Sequence, residues 1–322
     1  MPVLKNPTHP NAPPQEPEEI PVPVGESAYS LLERDLPEPV KLCDPWAVEG
    51  VNIIAGRPKL GKTTLIRQKL AAAAVGGEFL DSQFAAPTKT AFLCLEEGEL
   101  LCREKLRVSG FPDDALTQIN LHFEWPRGQA GVNLLDRYLT EHRDIRLVAI
   151  DSLTRFRVIP DVRVPAFMAD YEALNAVHDL SKKHPGVCID VIHHTRKARS
   201  EDPIDDISGT YGLTAACDSY MVIRHHADGA LIYAGGRLWM REAAEYKIKR
   251  SENHRWAMLG PNLGLSDEQM QVLDLVRKEP HGMSGARLQQ ILGISNQAAW
   301  QRLDALLEKG FVTKTFGKCH PR

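Results

Sequence analysis

Short apolar runs alternate with helical patterns along the central part of the chain. The apolar runs are short enough to be buried strands, and they cover 51–56, 88–96, 146–152 and 186–194. Segments with apolar residues at helical spacing cover 62–77, 134–143 and 164–184. Because these strands are apolar on both faces and alternate with helices, the pattern predicts an α/β fold with a mainly parallel sheet covered by helices on both sides.

The pattern changes twice towards the C-terminus. After Gly209 it predicts β-hairpins, because two apolar strands within 217–236 are joined through the turn sequence HADG. From Ser266 onward it predicts three short helices and a strand, with Ser266 and Ser295 as helix N-caps. This order resembles a small winged helix-turn-helix domain.

The C-terminal module carries slightly more positive than negative charge, with eight Lys and Arg against six Asp and Glu over 266–322. Its recognition-type helix is predicted over 296–308, and the polar residues expected on its exposed face are Asn296, Gln297, Gln301 and Arg302. This face can bind either DNA or a protein partner, and the pattern does not choose between them. The wing is expected to be short.

Composition narrows the classes of function. The chain has 322 residues, of which 43% are hydrophobic and 25% are charged, and its net charge is −3. A global basic field is therefore absent, and any nucleic-acid contact must come from local loops or a small domain. The sequence has no apolar run of transmembrane length, and its first residues lack the apolar core of a signal peptide, so we expect a cytoplasmic protein.

The six cysteines are separated from one another, and none forms a C-x-x-C pair. They are expected to be reduced thiols, and the sequence favours no zinc site.

A phosphate-binding motif begins where the first predicted strand ends. The sequence GRPKLGKT matches G-x-x-x-x-G-K-[ST], after a strand and at the start of a helix. Its glycines allow the backbone N–H groups to surround a triphosphate, the lysine reaches the β- and γ-phosphates, and the threonine hydroxyl can ligate Mg²⁺. The predicted cofactors are ATP and Mg²⁺, and the predicted binding residues are Gly56, Arg57, Pro58, Lys59, Leu60, Gly61, Lys62, Thr63 and Thr64.

Acidic residues follow two of the other predicted strands. Asp151 ends the strand over 146–152 and is predicted to complete the Mg²⁺ site with Thr63. The residue after it is Ser152 rather than Glu, so the general base must lie elsewhere. Glu96, at the tip of the strand over 88–96, is the predicted base, and Glu97 is the alternative.

The motifs together resemble those of a known family. GRPKLGKT, CLEEGE, VAIDSLTRF and VIHHTRK, followed by SGTYGLTAACDSYMVIRH and GGR, are similar in order and spacing to the RecA-like ATPases of the RepA-type hexameric helicase group. That group is related to DnaB-type and KaiC-like proteins and is common in plasmids, phages and other mobile elements. The resemblance covers about residues 27–260. It implies hexameric assembly with a nucleotide at each subunit interface.

Three domains are expected on this basis. Residues 1–25 are proline-rich and acidic and should be a disordered tail. Residues 26–262 should form the RecA-like ATPase domain, and residues 263–322 the winged-helix-like domain.

The resemblance also implies roles for residues outside the phosphate motif. RepA-type proteins place a histidine that senses the γ-phosphate at the end of a strand, and His194 matches it, with His193 facing the opposite side. The loops that follow His194 and Asp151 are expected to contact DNA in the central channel of the ring. The candidate DNA-binding residues are Arg155, Arg157, Arg163, Arg196, Lys197 and Arg199.

A cation donated in trans is a further expectation from the family. Arg237 follows the hairpin strand and is the first candidate, and Arg224 and Arg241 are the alternatives. The acidic residues that follow this arginine in the family are replaced here by Leu238, Trp239 and Met240, so the match is incomplete at this point.

The predicted function is that of an ATP-hydrolysing hexameric motor on single-stranded DNA, probable in type as a replicative helicase of a mobile element. The expected partners are single-stranded DNA, further copies of the chain, and a primase, initiator or other replication protein. Two other functions remain open. One is an ATP-driven DNA loader or recombination accessory without unwinding activity, and the other is a nucleotide-switched DNA-binding regulator.

Overall fold

The structure is a computed structural model that describes residues 25–159, 161, 163, 165–195, 200–207, 212–237, 243–261 and 267–321. It divides into two units, Met1–Glu38 and Pro39–Arg322. The described part of the first unit contains a short helix, α1 (Ala28–Leu32), whose first turn is capped by Ser27. The tail predicted over 1–25 lies almost wholly outside the described residues.

The second unit contains the remaining elements. Its strands are β1 (Lys41–Cys43), β2 (Ala47–Val48), β3 (Gly50–Gly56), β4 (Glu78–Phe79), β5 (Ser82–Gln83), β6 (Lys89–Cys94), β7 (Ile119–His122), β8 (Ile145–Asp151), β9 (Cys188–His194), β10 (Ser219–His226), β11 (Gly229–Gly236), β12 (Ala244–Arg250), β13 (Trp256–Pro261), β14 (Val312–Thr315) and β15 (Lys318–Pro321). Its helices are α2 (Lys62–Val75), α3 (Glu99–Ser109), α4 (Asp113–Thr117), α5 (Gln129–Glu141), α6 (Leu153–Phe156), α7 (Ala166–Ser181), α8 (Gly212–Ala215), α9 (Asp267–Arg277), α10 (Gly285–Leu292) and α11 (Asn296–Glu308).

Nine of the strands in the described ranges form one central sheet, in the order β13-β12-β11-β10-β3-β9-β8-β6-β7. The strands from β10 to β7 are mutually parallel, whereas β11, β12 and β13 continue the sheet antiparallel. One apolar core lies on the face covered by α2, and a second lies on the face covered by α5 and α7. The predicted α/β architecture is therefore confirmed.

The strands and helices predicted for the central part of the chain are all present, with ends that differ by a few residues. The hairpin predicted within 217–236 is β10 and β11. Two features are absent from the prediction. The edge strand β7 is one, and its burial is only intermediate along its length. The antiparallel extension of the sheet by β12 and β13 is the other.

Helix α2 is buried on most of its circumference because it lies between the sheet and α4. Its sequence is rich in alanine and leucine, which suits a helix that is covered on several sides. Glycines in the left-handed conformation mark both of its ends, Gly61 before it and Gly76 after it.

An ion pair inside the core joins α2 to β9. The Lys69 ammonium lies 2.7 Å from the Asp190 carboxylate, and both side chains are fully buried. The Asn52 amide from β3 donates to the same carboxylate at 3.4 Å, and the Ser219 hydroxyl from β10 donates to Asn52. Because the charges are compensated only by each other and by these polar groups, the pair fixes how α2 lies against β9 and β3.

The C-terminal residues form a small core of their own. Helices α9, α10 and α11 pack together with the hairpin β14–β15, and the shared apolar side chains include Leu288 and Leu303. Ser295 caps α11 as predicted, accepting from the Ala298 N–H, whereas Ser266 lies outside the described residues. Ser284 caps α10, which was not predicted. The bounds of α11 equal those predicted for the recognition-type helix.

On the recognition-type helix, Asn296, Gln297 and Gln301 are exposed as predicted. Arg302 is half-buried and pairs with Glu268 on α9. It is therefore less available to DNA than its position on the helix indicates.

No helix within the described part of the chain combines the length and the apolar character that crossing a membrane requires.

The ion pair between Lys69 and Asp190 leads to a stability prediction. Lys69→Met should lower the free energy of unfolding by about 3–5 kcal/mol, because it leaves the Asp190 carboxylate buried without its partner. The double variant Lys69→Met with Asp190→Leu should recover most of this loss, because no charge then remains in the core. Urea unfolding of the three proteins measures both values. A double variant as unstable as the single one would contradict this account.

Candidate nucleotide-binding site

Four strand ends meet at one edge of the central sheet. Gly56 at the end of β3 pairs with His194 at the end of β9, and Cys94 at the end of β6 pairs with Asp151 at the end of β8. Parallel strands carry their functional side chains at their carboxyl ends. The sequence motifs that follow these strands are therefore brought together in space.

The loop between β3 and α2 wraps around the Lys62 side chain. Lys62 Nζ donates to the carbonyl oxygens of Gly56 at 2.7 Å and Arg57 at 3.0 Å. Lys59 adopts a left-handed conformation within this loop, and Gly61 does so at its end. Burial lowers the pKa of Lys62 to about 8, while Asp151 and Glu96 act in the opposite direction. The ammonium is thus held, still largely protonated at pH 7, beside the N-terminus of α2.

Thr63 and Asp151 supply adjacent oxygen atoms. The Thr63 hydroxyl donates to Asp151 Oδ2 at 2.6 Å, and Asp151 is only 2% exposed. Burial is the main reason that the pKa of Asp151 is raised, although the hydrogen bond from Thr63 opposes it. A hydroxyl and a carboxylate in contact beside a phosphate-binding loop are oxygen ligands of the kind that Mg²⁺ prefers. The residues present fit a Mg²⁺ ion, which would neutralise phosphate charge there.

Glu96 and His194 contact each other across the site. His194 Nε2 lies 3.3 Å from Glu96 Oε1, and His194 Nδ1 lies 3.2 Å from Lys62 Nζ. Since an ammonium only donates, His194 accepts at Nδ1 and donates from Nε2 to Glu96. The Ser152 hydroxyl also donates to Glu96. The hydrogen bond from His194 is the main reason that the pKa of Glu96 is lowered to about 2, so Glu96 is a carboxylate at neutral pH.

Glu97 has a different environment from Glu96. Its carboxylate pairs with Arg67, and with Lys105 at 2.5 Å, and its side chain is only 9% exposed. A carboxylate held by two cations cannot readily accept a proton from water. The geometry therefore favours Glu96 over Glu97 as the general base.

These side chains line one cavity of about 490 Å³. The phosphate-loop residues on its wall are Pro58, Lys59, Gly61, Lys62, Thr63 and Thr64. Leu60 instead packs against the apolar core. Arg250, at the end of β12, also lines the cavity and was missed by sequence reasoning. It lies far along the chain from every motif, and nothing in its local sequence distinguishes it from other arginines.

His193 lies on the opposite side of β9 from His194. It is only 3% exposed, and neither of its ring nitrogens has a hydrogen-bond partner among the described residues. Burial lowers the pKa of His193 to about 4, and the neighbouring basic groups of His194, Lys62 and Arg157 act in the same direction. His193 therefore belongs to the core as a neutral ring.

The candidate DNA-binding arginines after Asp151 differ in exposure. Arg155 and Arg163 are exposed. Arg157 is 8% exposed, and its guanidinium contacts the Asp170 carboxylate at 2.6 Å. This pairing leaves Arg157 poorly suited to a phosphate contact. The candidates after His194, namely Arg196, Lys197 and Arg199, lie outside the described residues.

The three candidates for the trans cation also separate. Arg224 is bound to Asp206 at 2.8 Å and to the Ser200 carbonyl at 3.0 Å, so it holds the segment that follows β9. Arg237 is exposed and follows β11, whose end pairs with Ser219 at the opposite edge of the sheet from the phosphate loop. Arg241 lies outside the described residues.

The position of Arg237 excludes a role within its own subunit. Through Ser219 its strand end is level with Asn52 of β3, four residues before Gly56. At the rise of an extended strand this is roughly 13 Å. Arg237 can therefore meet a phosphate site only in another copy of the chain.

Two family models match the sequence. A model described as an AAA domain matches residues 17–200. A model described as winged helix-turn-helix DNA-binding matches residues 269–313. No curated protein matches the sequence.

Several solved structures are similar to this chain. The ATPase domain of a DnaB-like helicase is 12% identical, with 66% of this chain and 85% of that chain covered and a TM-score of 0.51. A KaiC-like protein from the archaeon Pyrococcus horikoshii OT3 is 16% identical, with 67% and 93% covered and a TM-score of 0.45. The RadB recombinase is 16% identical, with 66% and 91% covered and a TM-score of 0.46. At these identities the likeness concerns the fold, which is RecA-like.

The two glutamates after β6 allow a matched pair of variants. Glu96→Gln should bind ATP but hydrolyse it at least about 100-fold more slowly, because only the proton acceptor is removed. Glu97→Gln should retain most of the turnover number and lose stability instead, because it leaves Arg67 partly uncompensated. Phosphate release at saturating ATP measures both rates. Normal turnover in Glu96→Gln would show that the base lies elsewhere.

The buried ring of His193 predicts a loss of stability in acid. A histidine with a pKa of about 4 when folded and about 6.5 when unfolded binds its proton preferentially in the unfolded state, so stability falls as the pH falls from 6.5 to 4. Between pH 7.5 and pH 5 this amounts to about 2 kcal/mol.

His193→Leu should remove this part of the acid sensitivity while keeping the fold. Urea unfolding of both proteins at pH 7.5 and pH 5 gives the difference. An equal loss in the two proteins would contradict the assignment.

Proposed function

Because this chain belongs to the AAA domain family, we propose that it is an ATP-hydrolysing RecA-like motor that acts on single-stranded DNA as a homohexameric ring. The corresponding biological role is that of a replicative DNA helicase of a plasmid, phage or other mobile element. The observation that carries the proposal is the convergence of Lys62, Thr63, Asp151, Glu96 and His194 on one cavity. ATP and Mg²⁺ are the proposed ligands of that cavity.

Each side chain has a distinct task in this proposal. Lys62 and the backbone N–H groups at the start of α2 hold the phosphates. Thr63 and Asp151 hold Mg²⁺, which supplies charge neutralisation at the transferred phosphoryl group. Glu96 orients and deprotonates the attacking water. His194 reports the phosphate state, because it contacts both the phosphate-binding lysine and the base.

The DNA-binding part of the proposal has two supports. His194 is the last residue of β9, so it lies at the start of the segment that carries Arg196, Lys197 and Arg199. A contact that changes when the γ-phosphate leaves can therefore change the position of that segment. Arg155 and Arg163 are the proposed additional cations for the strand backbone.

A nucleotide-switched DNA-binding regulator is the second candidate. The match to a winged helix-turn-helix DNA-binding model favours it. A regulator requires protection of a specific duplex sequence and needs no unwinding. An ATP-driven loader or recombination accessory would bind single strands without unwinding.

The trans cation gives one test of ring assembly. Arg237→Ala should bind ATP normally while turnover falls by roughly 10³, the scale of an arginine donated from a neighbouring subunit. Mixing it with the Glu96→Gln protein should restore part of the activity, because some interfaces then contain one intact Glu96 and one intact Arg237. Lack of restoration in rings shown to mix by native mass spectrometry would argue against Arg237.

The function itself is tested by strand separation and by DNA affinity. The unmodified protein should unwind a forked duplex with ATP, and its affinity for single-stranded DNA should differ between a slowly hydrolysed ATP analogue and ADP. DNA-stimulated hydrolysis without unwinding would favour the loader, and protection of one duplex sequence would favour the regulator.

His194→Ala should separate binding from coupling. It keeps the cations of the following segment, so single-stranded DNA should still bind. The ratio of DNA affinities with the ATP analogue and with ADP should fall towards one, because the link to the γ-phosphate is removed. Fluorescence anisotropy of a labelled oligonucleotide measures this ratio. An unchanged ratio would return His194 to a structural role.

A further inference from the structure

A second cavity adjoins the phosphate site. It has a volume of about 300 Å³ and shares Thr64, Lys105 and Arg250 with the wall of the first cavity. Its remaining wall includes His254, from the turn between β12 and β13, and Val108 from α3. The two cavities are therefore neighbouring parts of one cleft between α2, α3 and this turn.

The turn between β12 and β13 is fixed from both sides. Arg255 donates to the carbonyl oxygens of Ser109 at 2.8 Å and Gly110 at 2.5 Å, and its guanidinium lies over the Phe111 ring. These contacts attach the turn to the end of α3. The turn is thus a built part of the cleft.

Trp256 attaches the start of β13 to α2. Its backbone N–H donates to the Gln68 side chain at 2.8 Å, and the Gln68 amide donates back to the Trp256 carbonyl at 2.8 Å. The indole N–H donates to the Gly61 carbonyl at 3.2 Å. The indole ring is therefore held directly beside the phosphate loop.

Arg250 is placed by this indole. Its guanidinium lies over the Trp256 ring, 4.8 Å from the ring centroid. A Cβ atom at Gly61 would lie within 1.9 Å of Arg250 Nη2, so the guanidinium occupies the space that any side chain at Gly61 would need. Among the described residues no hydrogen-bond acceptor contacts the Arg250 guanidinium. One face of this planar cation is thus packed on Trp256, while its edge and other side border the cleft.

The direction of the nucleotide follows from the phosphate site. The hydrolysed end must lie near Glu96 and Asp151, and the middle phosphates lie on Lys62 and the start of α2. The chain of phosphates then continues past Thr64, where the second cavity opens. The nucleoside has to leave the phosphate loop on that side.

We propose that the second cavity is the nucleoside subsite, in which the Arg250 guanidinium stacks on the base and His254 borders the base or ribose. This inference rests on the proposed nucleotide-binding function of the cleft and assigns residues that no motif identifies. A guanidinium plane offers a flat, weakly hydrated face that stacks on aromatic rings. Because every base has such a face, this subsite should bind ATP and GTP by the same contact.

The test separates contacts to the base from contacts to the phosphates. Isothermal titration calorimetry with Mg²⁺ measures the affinity for ATP and for inorganic tripolyphosphate, in the full chain carrying Glu96→Gln so that ATP is not consumed. Arg250→Ala in that background should weaken ATP binding by roughly 5- to 150-fold, the range for loss of one stacked base. Its affinity for tripolyphosphate should be unchanged, which also shows that the phosphate loop is intact.

Two further variants sharpen the interpretation. Arg250→Lys keeps the charge but loses the planar face, so it should lose ATP affinity to nearly the same degree as Arg250→Ala. Lys249→Ala removes an exposed cation from the preceding position of the same strand and should change neither affinity.

The outcomes distinguish this inference from the function on which it rests. An equal fall in the affinities for ATP and tripolyphosphate, with full recovery in Arg250→Lys, would mean that Arg250 acts as a charge on the phosphates and would overturn the base-stacking role. Unchanged ATP affinity in Arg250→Ala would overturn it as well. Absence of ATP binding in the parent protein would overturn the proposed function itself.

Discussion

The buried ion pair between Lys69 and Asp190 sets the geometry on which the nucleotide site depends. Lys62 and Lys69 are two turns apart on α2 and therefore lie on the same side of the helix. Asp190 and His194 are four residues apart on β9 and point to the same face of the strand. The helix and the strand thus meet at two points, the ion pair in the core and the contact between Lys62 and His194 at the sheet edge. A shift of α2 along β9 would separate both pairs together.

The polar groups at the sheet edge form one connected series. Ser152 and His194 both donate to Glu96, His194 accepts from Lys62, and Lys62 is also held by the phosphate loop. In such a series the position of each hydrogen depends on its neighbours. A phosphate group that attracts the Lys62 ammonium would therefore alter the hydrogen bonding of His194 and, through it, the environment of Glu96.

Much of this arrangement could be predicted from the sequence because it depends on local patterns. The parallel strands are apolar runs, and Gly56, Asp151 and His194 each stand where such a run ends. Parallel strands bring their carboxyl ends to one edge, so the convergence of these residues follows from the chain order alone. The motifs therefore carried information about a site formed by residues far apart in the chain.

The remaining features depend on contacts that a single sequence does not display. The choice between Glu96 and Glu97 is decided by Arg67, whose side chain reaches Glu97 from another element. The burial of Arg157 depends in the same way on Asp170 of α7. Arg250 could not be found because its role arises from Trp256 and Gly61, with which it shares no motif. Sequence reasoning thus located the ends of strands well and the partners of charged side chains poorly.

The position of β3 in the sheet has a consequence for how the protein is made. The phosphate-loop strand leaves the ribosome before every other strand of the central sheet, yet its two neighbours, β9 and β10, begin at Cys188 and Ser219. The indole that contacts Gly61 follows it by 195 residues. Because a central strand has no hydrogen-bonding partners until its neighbours exist, the nascent chain must keep β3 and α2 unpaired while most of the domain is synthesised. The nucleotide cleft is therefore the earliest part of the domain to be translated and among the last to be completed.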